Sequence, residues 1–163
     1  MAASEFRITE GELYFGDDVE AVSTLLGSCV AVVVWHATLK KGGMCHIVLP
    51  QNWKKEPDNR YANCAITTIT GHIRRINTRP EEYVTCLYGG GEMFAQTSGR
   101  NTVGRRNIDA VKKILTLHGY RISCEDTGGS CYRKIRLSLA TGEVFIEAVN
   151  VHDRRKGEFG CPK

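Results

Sequence analysis

The sequence lacks any long hydrophobic run. Its longest unbroken apolar segment covers residues 29–35, far fewer than the ~20 residues that a membrane-spanning helix needs. Residues 1–7 also lack the basic region and following apolar stretch of a secretory signal. We therefore expect a protein that does not insert into a membrane and that works in the cytoplasm.

No Cys-x-x-Cys pair occurs among the seven cysteines, which are irregularly spaced. This absence argues against a structural zinc site of the usual spacing, and a reducing compartment argues against a disulfide framework. Apolar or periodic neighbours predict that four cysteines are small buried residues, namely Cys45, Cys64, Cys86 and Cys124.

Charge of one sign is not in large excess, because 22 basic and 18 acidic residues give a formal net charge of +4. The basic residues form no concentrated stripe, so the sequence does not favour nucleic-acid binding. A length of 163 residues with 42% hydrophobic content predicts a single domain with a real core over residues 1–163. The charged end of the chain, at about residues 153–163, predicts a loosely attached tail.

Hydrophobic periodicity predicts both strands and helices. Spacings of three and four residues indicate amphipathic helices at 62–76 and 107–118. Asp58 or Asn59 is expected to cap the first helix, and Gly119 to end the second. Apolar runs or alternation indicate strands at 29–35, 44–49, 83–88, 120–125, 133–139 and 144–149, with one or two more within 6–22.

The most informative pair of residues is Cys29 and His46. Cys29 follows a Leu-Gly-Ser turn and opens a β-branched apolar run, while His46 lies inside the next apolar strand. A histidine beside a thiol removes its proton and creates a nucleophile, here expected as a thiolate–imidazolium pair. On residue patterns alone, a structural cysteine and a core histidine remain the alternatives.

Three consecutive glycines, Gly89–Gly91, follow the strand at 83–88. They lack the Gly-Lys-Ser/Thr ending of a phosphate-binding loop, so a phosphate cradle is the weaker interpretation. The stronger interpretation is a tight turn where two backbones approach closely.

Five blocks, in order, resemble one protein family, the chemoreceptor glutamine deamidases CheD. The resemblance covers roughly residues 9–150. The blocks are 26–32 (LGSCVAV), 46–50 (HIVLP), 88–94 (YGGGEMF), 104–108 (GRRNI) and 126–129 (DTGG).

The resemblance implies a function, a fold and partners. The implied reaction hydrolyses glutamine side chains of methyl-accepting chemotaxis receptors to glutamate, releasing ammonia through a cysteine thioester, and needs no metal or organic cofactor. The implied fold is an α+β sandwich with mixed β-sheets flanked by two main helices, similar to cytotoxic necrotizing factor-type Cys–His hydrolases. Family members often bind a CheC-type phosphatase and usually act as monomers.

Three catalytic roles follow from the resemblance. Cys29 matches the nucleophile and His46 the general base. The family places a threonine hydroxyl six residues before the cysteine, a position that Ser23 occupies here, with Thr24 as the alternative if the register differs by one. The backbone N–H of Cys29 is the candidate oxyanion donor.

Two further residues raise questions that the resemblance does not answer. Tyr132 stands where the family usually has glycine, and a positive φ there would force a local rearrangement. Trp53 lies in the polar loop at 51–59, which we expect near the substrate cleft. Two other functions stay open: a thiol hydrolase of another protein amide or ester, and a regulatory module that stimulates a CheC-type phosphatase of phosphorylated CheY.

Overall fold

Within residues 4–94 and 102–151, which this computed structural model describes, the chain forms nine strands, two α-helices and a short 3₁₀ turn. The helices are α1 (Ala62–Arg75) and α2 (Val103–Leu117), and the 3₁₀ turn is Pro80–Glu82. The strands are β1 (Glu5–Arg7), β2 (Leu13–Gly16), β3 (Ala21–Leu26), β4 (Val30–His36), β5 (Lys41–Ile47), β6 (Val84–Gly89), β7 (Ile122–Thr127), β8 (Cys131–Ser138) and β9 (Val144–Asn150).

The strands form two mixed sheets. One is four-stranded, in the order β1-β3-β8-β9, and the other is five-stranded, in the order β2-β5-β4-β6-β7. The pairs β1–β3 and β6–β7 are parallel, and the remaining pairs are antiparallel. The predicted α+β class with mixed sheets and two main helices is therefore confirmed.

The five-stranded sheet is buried on both faces because β4 is apolar at every position from 30 to 34. Val30, Val32 and Val34 pack against α1 and α2, whereas Ala31 and Val33 pack against the four-stranded sheet. Alternate side chains of a strand point to opposite faces, so this one strand joins both cores. The molecule thus has three layers: a four-stranded sheet, a five-stranded sheet and a helical layer.

Several local predictions are corrected. Strand β3, which carries the hydroxyl residues before the cysteine, was not predicted as a strand. Neither Asp58 nor Asn59 caps α1, since its N-cap is Tyr61 without a side-chain hydrogen bond and Asp58 binds Arg60 instead. Gly119 does follow the end of α2, with a φ of +90°.

One pair of cysteines contradicts the expected absence of disulfides. Cys86 on β6 and Cys124 on β7 are bonded to each other, because the parallel register places them directly opposite. Cys86 is buried, but Cys124 is exposed, so the prediction of two small buried thiols is wrong for this pair. Cys29, Cys45, Cys64 and Cys131 are free thiols.

Two further expectations concern the tail of the chain and membrane-spanning helices. The predicted tail at about residues 153–163 lies outside them. Among the helices within them, none has the length and apolar character to cross a membrane.

Candidate active site

Strands β4 and β5 bring Cys29 and His46 to the same face of the five-stranded sheet. His46 pairs with Ala31 across the antiparallel ladder, and Cys29 packs in the same core between the sheets as Ala31. Cys29 directly precedes β4, so it is a diagonal neighbour of His46, an arrangement that lets side chains approach each other. Both side chains are nearly buried, with 9% of Cys29 and 4% of His46 exposed.

The hydroxyl of Thr24, on β3 of the opposing sheet, contacts the imidazole ring. Its Oγ1 lies 2.7 Å from Nδ1 of His46 and donates a hydrogen bond of 2.8 Å to the carbonyl of Ile8. A threonine hydroxyl has a single proton, and Thr24 uses it in the hydrogen bond to the Ile8 carbonyl. Nδ1–H of His46 is therefore the donor to Oγ1. The other ring nitrogen, Nε2, then carries a free lone pair.

Ser23, the expected orienting hydroxyl, does not contact His46 in the way that Thr24 does, because Ser23 and Thr24 point to opposite faces of β3. Thr24 shares the inward direction of Val22 and Leu26, which belong to the core between the sheets. The Ser23 side chain instead hydrogen-bonds Glu5 and is the main cause of the lowered pKa of that carboxyl. The alternative register, with Thr24 as the third residue, is the one that the geometry supports.

The electrostatics of the pair favour neutral groups in the resting protein. Burial raises the pKa of the Cys29 thiol to about 11, and the charge of Glu10 adds to this effect. Burial also lowers the pKa of His46, against the opposing charges of Glu10 and Glu12. Both pKa shifts disfavour the thiolate–imidazolium pair expected from the sequence, because burial removes water from the charged form of each group.

Nε2 of His46 is buried without a hydrogen-bond partner among the described residues. An unpaired polar atom in a core costs free energy, so its presence points to use in the reaction. A neutral imidazole with a free Nε2 is an acceptor for a thiol proton.

The glycines that end and follow β6, Gly89–Gly91, support the turn that carries Cys29. The backbone N–H of Gly91 donates to the carbonyl of Gly27 at 2.9 Å, and that of Gly90 donates to the carbonyl of Cys29 at 2.8 Å. A Cβ on Gly89 would lie 2.3 Å from the Cys29 carbonyl oxygen. The interpretation of this segment as a tight turn of closely approaching backbones agrees with these contacts.

A second turn, at the end of β7, supports the glycine segment from the other side. The N–H of Gly128 donates to the carbonyl of Gly89 at 2.9 Å. The Gly128 carbonyl and the Asp126 carboxylate both accept from Arg133, whose side chain is only 4% exposed. The buried guanidinium thereby holds the β7–β8 turn, and the Gly128 N–H of this turn bonds the glycine segment behind Cys29.

Tyr132, at the position where glycine was expected from the resemblance, has an ordinary strand backbone conformation. It lies in β8 and pairs with Val149 on β9. Its ring lies 3.3 Å from the point that a Cβ on Gly27 would occupy. Tyr132 therefore flanks the turn before Cys29, and it does not have the positive φ that would force a rearrangement.

An open cleft of about 490 Å³ reaches the imidazole side of the site. Its walls combine charged and apolar side chains, and they come from the β1 region, β3 and β5. The residues that line it are Arg7, Ile8, Thr9, Glu10, Thr24, Leu25 and His46.

No residue of the loop at 51–59, which the structure describes throughout, lines this cleft. A second cavity is lined by Asn52, Arg60 and Gly11, and the N–H of Gly11 donates to the His46 carbonyl at 3.0 Å. Trp53 is 85% exposed on this loop. Among the described residues, no cluster of three or more His, Cys, Asp or Glu side chains is placed to hold a metal ion.

The sequence prediction missed one polar residue at the site. Asn107 of α2 is fully buried, and its side chain bonds the backbone on both sides of the Cys29–His46 pair. Asn107 belongs to the block 104–108 that carries the resemblance and lies next to the buried helix face that contains Ile108 and Val111, but no role was predicted for it.

Comparison with known proteins identifies a matching family and many relatives. A family model described as CheD chemotactic sensory transduction matches residues 48–148. This segment begins just after His46, so the assignment of Cys29, His46 and Thr24 depends on the geometry of this chain.

The curated relatives are similar over nearly the whole chain. A probable chemoreceptor glutamine deamidase CheD of Methanococcus vannielii is 34% identical, covering 88% of this chain and 95% of the relative. A Dechloromonas aromatica protein, probable chemoreceptor glutamine deamidase CheD 3, is 33% identical, and the match covers 87% of this chain and 86% of the relative. A probable chemoreceptor glutamine deamidase CheD of Pseudomonas savastanoi pv. phaseolicola is 32% identical, and the match covers 97% of this chain and 95% of the relative.

Proposed function

The chain belongs to the CheD family, and from this membership we propose that it is a chemoreceptor glutamine deamidase that converts receptor glutamine side chains to glutamate. The names of the relatives support the substrate and reaction. The observation that carries the chemistry is the free Nε2 of His46, which the Thr24 contact leaves available on the face shared with Cys29.

The first half of the reaction forms a thioester. As Sγ of Cys29 attacks the amide carbon of the glutamine side chain, the thiol proton moves to Nε2 of His46. The C–N bond then breaks, and the imidazolium returns that proton to the departing nitrogen, which leaves as ammonia. Attack is coupled to proton transfer because the raised pKa of Cys29 and lowered pKa of His46 disfavour a preformed ion pair.

The second half of the reaction releases glutamate. Nε2 of His46 accepts a proton from water, whose oxygen attacks the thioester carbon. The C–S bond breaks, Cys29 recovers its proton from His46, and the side chain leaves as a carboxyl group. Thr24 keeps the proton on Nδ1 throughout, so Nε2 is the exchanging nitrogen in both halves.

The turn around Cys29 supports a role for its N–H as an oxyanion donor. The carbonyls of Gly27 and Cys29 are held by the glycine segment, which fixes the two peptides that flank the Ser28–Cys29 peptide. A donor that is already oriented stabilises the developing negative charge without reorganisation.

The remaining expectations from the resemblance belong to the same proposal. They are a cytoplasmic location, a monomeric state, a CheC-type phosphatase as partner and a fold similar to cytotoxic necrotizing factor-type hydrolases. Hydrolysis of another amide or ester and a purely regulatory role are the competing functions, and activity on a receptor distinguishes them.

The test is mass spectrometry of a receptor cytoplasmic fragment incubated with the full chain. Deamidation adds about one mass unit at specific glutamines, and in H₂¹⁸O about two further units, because the new carboxyl oxygen comes from water. A fragment incubated without enzyme is the control. If the fragment's mass stays unchanged, the receptor deamidase proposal is wrong.

A further inference from the structure

The side chain of Asn107 connects the two halves of the site. Its Nδ2 lies 3.2 Å from the carbonyl oxygen of Ser28 and 2.9 Å from that of Val48. Ser28 directly precedes Cys29, and Val48 comes two residues after His46. One amide group on α2 thus bonds the turn of the nucleophile and the strand end of the base.

These contacts lie where the strand ladder stops. The last pair that joins β4 and β5 at this end is Val30–Ile47. Beyond it, the carbonyls of Ser28 and Val48 both accept from the two N–H groups of the same amide. The Asn107 amide therefore acts as an additional rung of the ladder, supplied by a helix.

The position is costly for a residue with only a packing role. Asn107 is fully buried, and its Oδ1 has no hydrogen-bond partner among the described residues. Burial of an unpaired polar atom is unfavourable, and an apolar side chain would avoid it. Asparagine is also a poorer helix former than leucine, so the gain from this residue lies in the two carbonyls that it holds.

The Ser28 carbonyl determines where the Cys29 N–H points. Both belong to one peptide bond, and in a planar trans peptide the C=O and N–H point in opposite directions. Because Asn107 draws this carbonyl toward α2, the N–H of Cys29 points away from the helix. With the glycine contacts, three successive carbonyls, at 27, 28 and 29, are each held by a separate donor.

We propose that Asn107 is a positioning residue for the deamidation reaction, which makes this inference rest on the proposed function. Its amide fixes the Ser28–Cys29 peptide and sets the separation of Cys29 from His46. It contacts neither reacting group itself, so its removal changes the rate of chemistry more than the binding of the receptor.

The test compares Asn107→Asp with Thr70→Val in the full chain. Asn107→Asp keeps the shape but replaces the donor nitrogen with an acceptor oxygen. Thr70 is a matched control on α1, because its buried hydroxyl bonds Tyr120, away from the Cys29 turn. Both variants are assayed for kcat and KM on the receptor fragment, and for thermal stability.

Asn107→Asp is expected to lower kcat about 10- to 100-fold with KM within about twofold, since small misplacements of reacting groups cost this much. Thr70→Val is expected to keep kcat within about twofold while it is folded. A loss of kcat no larger than that of Thr70→Val, or a loss confined to KM, would overturn the inference.

A second variant and a second assay cover the cases in which Asn107→Asp does not fold or the receptor is not modified. If Asn107→Asp does not fold, Asn107→Ser retains one donor, and we expect about a 5- to 30-fold loss of kcat. If the wild type leaves the receptor unmodified, the proposed function fails, and alkylation by iodoacetamide then tests Asn107 separately. The positioning of Cys29 by Asn107 is supported if the variant changes the Cys29 rate at least about fivefold with the Cys64 rate unchanged, and it is wrong if both rates stay the same.

Discussion

The Thr24 hydroxyl and Nδ1 of His46 lie 2.7 Å apart and link the two sheets at the active site. Because that hydroxyl donates to the Ile8 carbonyl, it accepts from the ring and holds the proton on Nδ1. The contact selects the neutral tautomer whose Nε2 is a base. A single hydrogen bond between layers thus determines which nitrogen of His46 meets the substrate.

Loss of the Thr24 hydroxyl is expected to impair catalysis without unfolding the chain. Thr24→Val removes the acceptor for Nδ1–H at nearly constant volume, so we expect kcat to fall on the order of 10- to 100-fold. Thr24→Ser keeps the hydroxyl and should stay within about threefold of wild type. Ser23→Ala is the matched control on the opposite face of β3; if it impairs kcat as much as Thr24→Val, the assignment to Thr24 is wrong.

The reactivity of Cys29 toward iodoacetamide should rise steeply at alkaline pH. Burial raises the pKa of the thiol to about 11, so the thiolate fraction grows about tenfold per pH unit below that value. Peptide-resolved mass spectrometry after timed alkylation, from pH 6 to 11, measures the rate at Cys29. A rate that is already on a plateau at neutral pH would instead establish a preformed thiolate–imidazolium pair.

The acid limb of the activity profile should lie below pH 6.5. Burial lowers the pKa of His46 from its usual 6.5, so the imidazole stays neutral, and active as a base, to lower pH than an exposed histidine. The measurement is kcat/KM on the receptor fragment from pH 4.5 to 8. An apparent pKa above 6.5 would contradict the neutral resting state of the pair.

A methyl group at Gly89 is expected to displace the turn that carries Cys29. The added Cβ would lie 2.3 Å from the Cys29 carbonyl oxygen, at a φ of +103°. Gly119→Ala is the matched control, since its φ is +90° but its Cβ would meet only the flexible end of Glu81.

Both glycine variants should lose about 1–2 kcal/mol of unfolding free energy from backbone strain, measured by urea denaturation. Only Gly89→Ala should also lose kcat, on the order of 100-fold. Equal activity in the two variants would show that the contact between Gly89 and Cys29 does not affect the reaction.

The bond between Cys86 and Cys124 should stabilise the fold. The two residues are 38 apart in sequence, and closing a loop of this size contributes about 2–4 kcal/mol. Peptide mapping without reductant should recover the linked peptides, and a reductant should lower the melting temperature. The double variant Cys86→Ser/Cys124→Ser is the control, because its melting temperature should not respond to reductant.

The sequence predicted the Cys29–His46 pair because Cys29 directly precedes one strongly apolar strand and His46 lies in the next, and the two strands pair. The sequence did not distinguish Ser23 from Thr24. In a short strand, the alternation of polar and apolar residues does not show which of two adjacent hydroxyl residues faces inward. The partners of Asn107 lie 79 and 59 residues away, and no local pattern reports such a contact. The Cys86–Cys124 bond depends on the parallel register of β6 and β7, which periodicity does not determine.

Site-resolved deamidation of a receptor fragment by wild type, Cys29→Ala and Cys64→Ala is the first test of Cys29 as the nucleophile. Cys64 is a free thiol on α1, and its variant controls for the loss of a cysteine as such. We expect a gain of about one mass unit at defined glutamines with wild type and Cys64→Ala, and none with Cys29→Ala. Deamidation that persists in Cys29→Ala would show that Cys29 is not the nucleophile.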